Sequence, residues 1–223
     1  MLILTLLILQ VNGVNVKGLR KNSRGDFMAV NKRAIVMASI DILNRDGVEN
    51  LSMRTIAKAL NVKAAALYNH ISGKLELYNE IAEYMCEQNM SSYCVHAPNA
   101  HVSEICKAHR AMLLTVRDSV AIFQESHPNT PLRIEMIRSQ MRAMSMLSIK
   151  QGFLSTAANM LNNYVLSFVA DELRFKNTPS DQFAQLAEIL SQEEKSVFAN
   201  IGNYDEYFEY GLSVILMGLE NVR

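Results

Sequence analysis

Apolar residues recur every three or four positions along most of this chain, the period of an amphipathic α-helix. Ile35, Ala38, Ile42 and Leu43 make one such stripe over 31–46, and Gly47 stands where that helix must stop. Ile56, Ala57 and Leu60 make a shorter stripe, preceded by Ser52, whose hydroxyl suits the orphan N–H groups of a helix start. Asn61 follows where the chain must reverse, and Asn tolerates the left-handed backbone of such turns. A third helix is predicted over 63–70, ended before Gly73, and a fourth over 74–90 on Leu77, Ile81, Tyr84 and Met85. Residues 91–100, with Pro98, read as a loop, and 102–117 as one helix. Pro128 and Pro131 bracket a second loop, and Pro131 suits the first turn of a helix running to Gln151. Ile134, Ile137, Met141, Met144 and Leu147 stripe that helix, and Gly152 ends it. Further helices are predicted over 153–175, 182–190 and 204–221, with a loop at 178–181. With only 4 Pro and 9 Gly, the pattern predicts an all-α fold.

The two short helices within 51–77 have the spacing of a helix-turn-helix, in which one helix crosses the DNA backbone and the next enters the major groove. An ordinary helical hairpin shares that spacing, so the residue identities must decide. Gly47, Leu51-Ser52, Ile56-Ala57, Leu67-Tyr68-Asn69-His70-Ile71 and Lys74 stand in a telling order and spacing. On them, the stretch from Ala34 to Leu77 resembles the N-terminal domain of the TetR (tetracycline-repressor) family of bacterial regulators. Asn61 departs from it, standing where the family usually has Gly, and so does the plain run Lys63-Ala64-Ala65-Ala66. A weaker resemblance covers the rest. It lies in His109-Arg110 through Val116-Arg117-Asp118, in Gln151-Gly152-Phe153, and in Phe208 to Leu212 continuing to Met217-Gly218-Leu219-Glu220.

The resemblance implies a three-part chain: a leader at 1–27, a helix-turn-helix DNA-binding domain at 28–77, and a helical ligand-binding and dimerisation domain at 78–223. It implies a homodimer formed through helices 153–175 and 204–221 as a four-helix bundle. Gly211 and Gly218, a heptad apart, would let such helices approach closely. It also implies that helix 74–90 links head to body, so that a small tilt changes the separation of the two heads, a two-state element a ligand can bias.

Contacts with DNA follow from side-chain chemistry and then from the family. Arg54 suits a phosphate or a guanine edge, and Asn69 an adenine edge. Lys63, Tyr68, His70 and Lys74 match family positions that hold the backbone. Ala64, Ala65 and Ala66 offer only methyl groups, for thymine methyls at most. The expectation is modest direct readout with more reliance on phosphates and DNA shape; a sequence-blind binder has the same features. Lys32 and Arg33 suit phosphates or a solvated face equally.

Charge adds modest support. The formal net charge is zero, but residues 28–77 carry 7 Lys/Arg against 4 Asp/Glu, while 78–223 carry 11 against 17. A basic head on an acidic body suits a protein that offers one end to a polyanion. Met1 to Val11 is apolar but too short to span a bilayer and lacks the positive start and small-residue cleavage site of a secretion signal. The expectation is a cytoplasmic protein with no membrane partner, started naturally at Met28.

For the body, the resemblance puts Phe123 where tetracycline repressors hold a magnesium-binding His, and His127 where they have Arg. Phe cannot bind a metal, so no metal cofactor or metal–tetracycline inducer is expected. Ile105, His109, Phe123, His127, Gln140 and Met144 are the candidate ligand-binding residues, for an apolar small-molecule inducer. Nine of the 13 Met follow residue 78, which fits either an adaptable pocket or plain core filling. Cys94, His96, His101, Cys106 and His109 leave open a metal- or redox-sensing regulator, although their spacing matches no standard zinc site. No phosphate-binding Gly-rich loop, nucleophile elbow or paired-carboxylate motif points to an enzyme. The function expected is a ligand-released homodimeric repressor of operator DNA. The alternatives are that metal or redox sensor, and a helical interaction module without DNA binding.

Overall fold

The computed structural model describes residues 30–89, 101–177, 188–197 and 202–221. The expected leader at 1–27, the loops at 91–100 and 178–181, and most of the helix at 182–190 lie outside them. Contacts divide the chain into two units, 1–30 and 31–223, and all that follows concerns the second. Among the described residues the structure is helical without strands. Ten α-helices are named here: α1 Lys32–Asp46, α2 Met53–Ala59, α3 Ala64–Leu67, α4 Lys74–Asn89, α5 Val102–Leu113, α6 Ser119–Glu125, α7 Pro131–Ser145, α8 Leu154–Asn177, α9 Gln192–Val197 and α10 Tyr204–Asn221.

Helix α1 starts at Asn31, whose side-chain oxygen accepts the Ala34 N–H, and stops at Gly47 with φ 83°. Its buried face is Ile35, Val36, Ile42 and Leu43, packed on α2 and α4. Helix α4 runs from the head into the body: it packs on α1, and also on α6 and α7. Glu83 of α4 accepts the backbone N–H groups of Leu132 and Arg133 at 2.9 and 3.2 Å, so an acid of one helix caps the N-terminus of another.

A second join between head and body lies at the bend between α5 and α6. The sequence predicts one helix over 102–117; the structure ends it at Leu113. Thr115 Oγ1 donates to Met112 O and Ser119 Oγ to Leu113 O, so hydroxyls occupy carbonyls that a longer helix would use. Asp118 is left-handed, φ 58°, and its Oδ2 accepts the Val48 N–H at 2.8 Å, while the Arg117 N–H donates to Asn44 Oδ1 at 2.9 Å. Gly47 is required there: a Cβ on it would lie 3.0 Å from Arg117 Nη2 and 3.1 Å from Asp118 Oδ2.

Two more boundaries differ from the pattern. Helix α6 occupies a stretch to which the periodicity assigned no element, and α7 ends at Ser145 rather than Gln151. Ser145 Oγ turns back to Arg142 O, and a 3-10 turn at Gln151–Phe153 leads into α8. The buried face of α7 is Arg133, Met136, Ser139, Ala143 and Met144; of the predicted stripe Met144 is buried, Ile134 and Met141 are half-buried and Ile137 is exposed.

Helix α8 carries the body: α5, α6, α7 and α10 all pack on it. Glu172 of α8, 2% exposed, takes Arg110 Nε of α5 at 2.8 Å and Lys176 Nζ at 2.6 Å, and Arg110 Nη1 reaches Asp205 of α10 at 2.7 Å. Tyr164 of α8 donates to Phe208 O at 2.8 Å. A Cβ on Gly211 would lie 3.0 Å from Tyr164 Cζ, whereas one on Gly218 would meet nothing within 4 Å. The close approach that the glycine pair suggested thus occurs at Gly211, within one chain. Gly→Ala in a helix ordinarily stabilises, by about 1 kcal/mol. Gly211→Ala is expected to destabilise instead, by about 1–3 kcal/mol, as overpacking does. The loss should shrink in a Tyr164→Phe background, which denaturant unfolding of the four variants measures.

Candidate nucleic-acid interface and ligand core

The reversal between α2 and α3 is fixed by short-range chemistry. Ser52 Oγ accepts the Thr55 N–H at 3.1 Å, and Thr55 Oγ1 accepts the Ser52 N–H at 3.0 Å, a reciprocal cap with Thr in the usual place of Glu. Asn61 holds φ 56°, the left-handed turn expected of it. Leu67 and Ile71 are fully buried and pin α3 to the head. The predicted helix over 63–70 contracts to four residues, because the Leu67 carbonyl takes both the His70 and Ile71 N–H groups and closes the turn.

Arg54, Lys58, Lys63, Ala65, Tyr68, Asn69, His70 and Lys74 are exposed, and Ala64 and Ala66 half-buried. Residues 50–75 include four Lys/Arg and no Asp or Glu. Arg54, Lys58 and Lys63 make no ion pair with a described residue, so their charge faces outward. Lys74 differs: it lies 3.0 Å from Glu125 of α6, and its ammonium sits 4.9 Å from the Tyr78 ring centre. Lys32 and Arg33 are engaged as well, Lys32 by Glu76 and Glu80 at 3.1 and 2.8 Å, Arg33 by Glu87 at 2.9 Å. They belong to the α1–α4 seam.

Within the body, Ile105, His109, Phe123 and Met144 are buried, and the His109 and Phe123 ring centres are 5.7 Å apart. Gln140 is half-buried. His127 is exposed beyond the end of α6, its backbone N–H donating to Asn79 Oδ1, so it does not join that group. Burial, aided by the charge of Arg133, pushes the His109 imidazole down to about 3 and keeps it neutral. Burial pushes the Cys106 thiol up to about 12, and the Cys86 thiol likewise. Cys94 and His96 lie outside the described residues; among those described, no three His, Cys, Asp or Glu side chains could hold a metal together.

The residues match two family models. A description of the tetracyclin repressor-like C-terminal domain matches 99–223, and one of the bacterial regulatory proteins of the tetR family matches 35–81. The chain belongs to the TetR family of bacterial regulators. Its relatives include the class C tetracycline repressor of Escherichia coli, 27% identical over 86% of this chain and 91% of that protein. The class A repressor from transposon 1721 of Escherichia coli is 26% identical over 85% and 90%. A possible TetR family regulator from Streptomyces coelicolor A3(2) superposes with a TM-score of 0.72 at 25% identity, covering 86% of this chain and all of that one. Two further structures share the fold. Streptomyces coelicolor ActR in complex with actinorhodin has a TM-score of 0.70 at 22% identity, covering 85% and 96%. BioQ with its double-stranded DNA operator has 0.61 at 22%, covering 86% and 99%.

In this TetR-family chain, sequence reasoning overlooked two side chains. Lys58 lies one turn beyond Arg54 on the same exposed face, a signal the i, i+4 spacing carried. Arg133 carried no usable signal, because a charged residue one position before an apolar stripe reads as solvated. It is 6% exposed, with its guanidinium carbon 4.1 Å from the Phe123 ring centre and Nη1 3.0 Å from Ser126 Oγ.

The depressed His109 has a consequence for stability. The unfolded chain binds a proton at this imidazole below about 6.5, whereas the folded chain does not until about 3. The His109 contribution is therefore fully present above pH 6.5 and lost as pH falls towards 3. Unfolding free energy measured between pH 7 and 4 should drop more steeply in the parent than in His109→Leu.

Proposed function

We propose that this protein is a homodimeric repressor that holds duplex operator DNA through α2 and α3 and releases it when a small molecule enters the body. The observation that carries the reading is the surface of residues 50–75: a capped, reversed helix pair with exposed basic side chains and no acid, in a chain of this family. The operator bound by BioQ and the actinorhodin bound by ActR support both halves of it. The head is taken as 28–77 and the body as 78–223, and the protein acts in the cytoplasm by binding rather than by catalysis. No described helix is long and apolar enough to cross a membrane.

Arg54 and Lys63 contact phosphates, Tyr68 and His70 clamp the backbone beside them, and Asn69 faces the base edges. Ala64, Ala65 and Ala66 lie against the groove without hydrogen bonds of their own. Lys74 joins them by exchanging Glu125 for phosphate. Ile105, His109, Phe123, Gln140 and Met144 line the ligand core, and His127 stands outside it.

The dimer forms through α8 and α10. Phe153, Met160, Tyr210, Val214 and Met217 are exposed there, Tyr210 to 71%. Between the start of α8 and the end of α10 runs a groove of about 460 Å³ lined by Ile149, Phe153, Met160, Ile215, Gly218 and Leu219. An apolar face of this kind marks an interface rather than a solvated surface.

Phosphate contacts release counterions, so log K falls with log salt by about 0.9 per contact. With DNA from upstream of its own gene, Arg54→Ala and Lys63→Ala should each lower that slope by about one. Fluorescence anisotropy over a salt series reads it; unchanged slopes in both variants would remove these residues from the interface.

A further inference from the structure

We infer that Glu125 of the body competes with DNA phosphate for Lys74, so that the body withholds one of the head's clamps until DNA displaces the acid. The inference rests on the reading of α2 and α3 as the surface that holds DNA, and adds a residue that tunes it.

Lys74 opens α4 and is the last of the four cations in residues 50–75. That stretch contains no acid, so the acid that meets Lys74 comes from the body: Glu125 Oε2, at the end of α6, lies 3.0 Å from Lys74 Nζ. The next acid along the chain, Glu76, is engaged elsewhere. Its Oε1 takes Lys32 Nζ, and its Oε2 takes the Ser72 N–H and hydroxyl. The Lys74 ammonium also rests 4.9 Å from the Tyr78 ring centre, one turn on along its own helix.

The body holds the carboxylate in place. Ile122 and Phe123 bury one face of α6. Just past its end, the His127 N–H donates to Asn79 Oδ1 of α4 at 2.8 Å, and Asn79 is buried. Asn79 follows Lys74 by five residues and His127 follows Glu125 by two, so this inner bond keeps the two segments side by side where the outer pair forms. Both partners of the outer pair are more than half exposed, which leaves Lys74 open to DNA. An ion pair this exposed is weak. Phosphate offers the ammonium an equivalent oxygen and releases counterions in the exchange. Glu125 therefore lowers DNA affinity without abolishing it, and it does so from the helix that carries Phe123 into the core.

Phosphate contacts carry no sequence, so any duplex reports on them. The test is fluorescence anisotropy of the full chain over a salt series, with duplex DNA from upstream of its own gene and with an unrelated duplex. Glu125→Gln should tighten both by about two- to fivefold, the range an exposed ion pair supports, and the gain should fade as salt rises. Lys74→Ala should weaken both and lower the salt slope by about one. In the Lys74→Ala background, Glu125→Gln should change affinity by no more than about 1.5-fold, because the acid has lost what it competes for. Both side chains are exposed, so neither substitution opens the core. An unchanged affinity in Glu125→Gln would overturn the inference. So would an equal gain in the Lys74→Ala background, which marks general repulsion between an acid and DNA. A slope indifferent to Lys74→Ala but lowered by Arg54→Ala leaves the DNA reading intact and removes the inference. If the parent protein binds neither duplex at low salt, the DNA reading itself fails and the inference falls with it.

Discussion

The meeting of two left-handed residues, Gly47 at the end of α1 and Asp118 at the bend after α5, sets where the head stands on the body. Gly47 reaches its positive φ without steric cost, having no Cβ, whereas at Asp118 a positive φ costs about 1–2 kcal/mol. Each is held by the other's surroundings. Asp118 accepts the Val48 N–H, Asn44 accepts the Arg117 N–H, and the missing side chain of Gly47 leaves room for Arg117 and Asp118. A Cβ at Gly47 would crowd the Arg117 guanidinium and the Asp118 carboxylate that holds the Val48 N–H, and would itself be strained at φ 83°.

With the joint fixed, α4 gains its meaning. It is the other crossing between head and body, packed on α1 and also on α6 and α7, with Glu83 capping α7. Arg133 leads the same helix α7 into the core. A change around Arg133 therefore acts on the first turn of a helix whose cap belongs to α4, and Lys74 at the start of α4 is itself paired to α6 through Glu125. On the far side, Arg110 ties α5 to Glu172 of α8 and Asp205 of α10. The buried core of the body, the head and the apolar outer face thus share helices.

Local features of the fold were legible because their causes are local. Gly47, Ser52 and Asn61 announce a stop, a cap and a turn through their own backbone chemistry, and Tyr204–Asn221 has the limits its periodicity suggested. The family resemblance was readable in the head for the same reason, since its residues are close in sequence. What was not legible depends on distant partners. The bend at 114–118 is stabilised by Asn44 of α1 and by Val48 in the turn after it, 73 and 70 residues away along the chain. The buried register of α7 hides behind the charge of Arg133, which only Phe123 and Ser126 make sense of. Gly211 makes room for Tyr164 of its own chain, a partner 47 residues away that the helical period does not name. Phe123 and His127, four residues apart, part company because α6 ends between them.

The claim on which the account turns is that the basic head reads duplex DNA as part of a two-fold dimer. Footprinting the intact protein on the DNA upstream of its own gene tests it most directly. The account predicts two protected half-sites, related by inverted symmetry and centred about one helical turn or a multiple of it apart. Protection of a single unsymmetric site, or none above that on unrelated DNA, would contradict it.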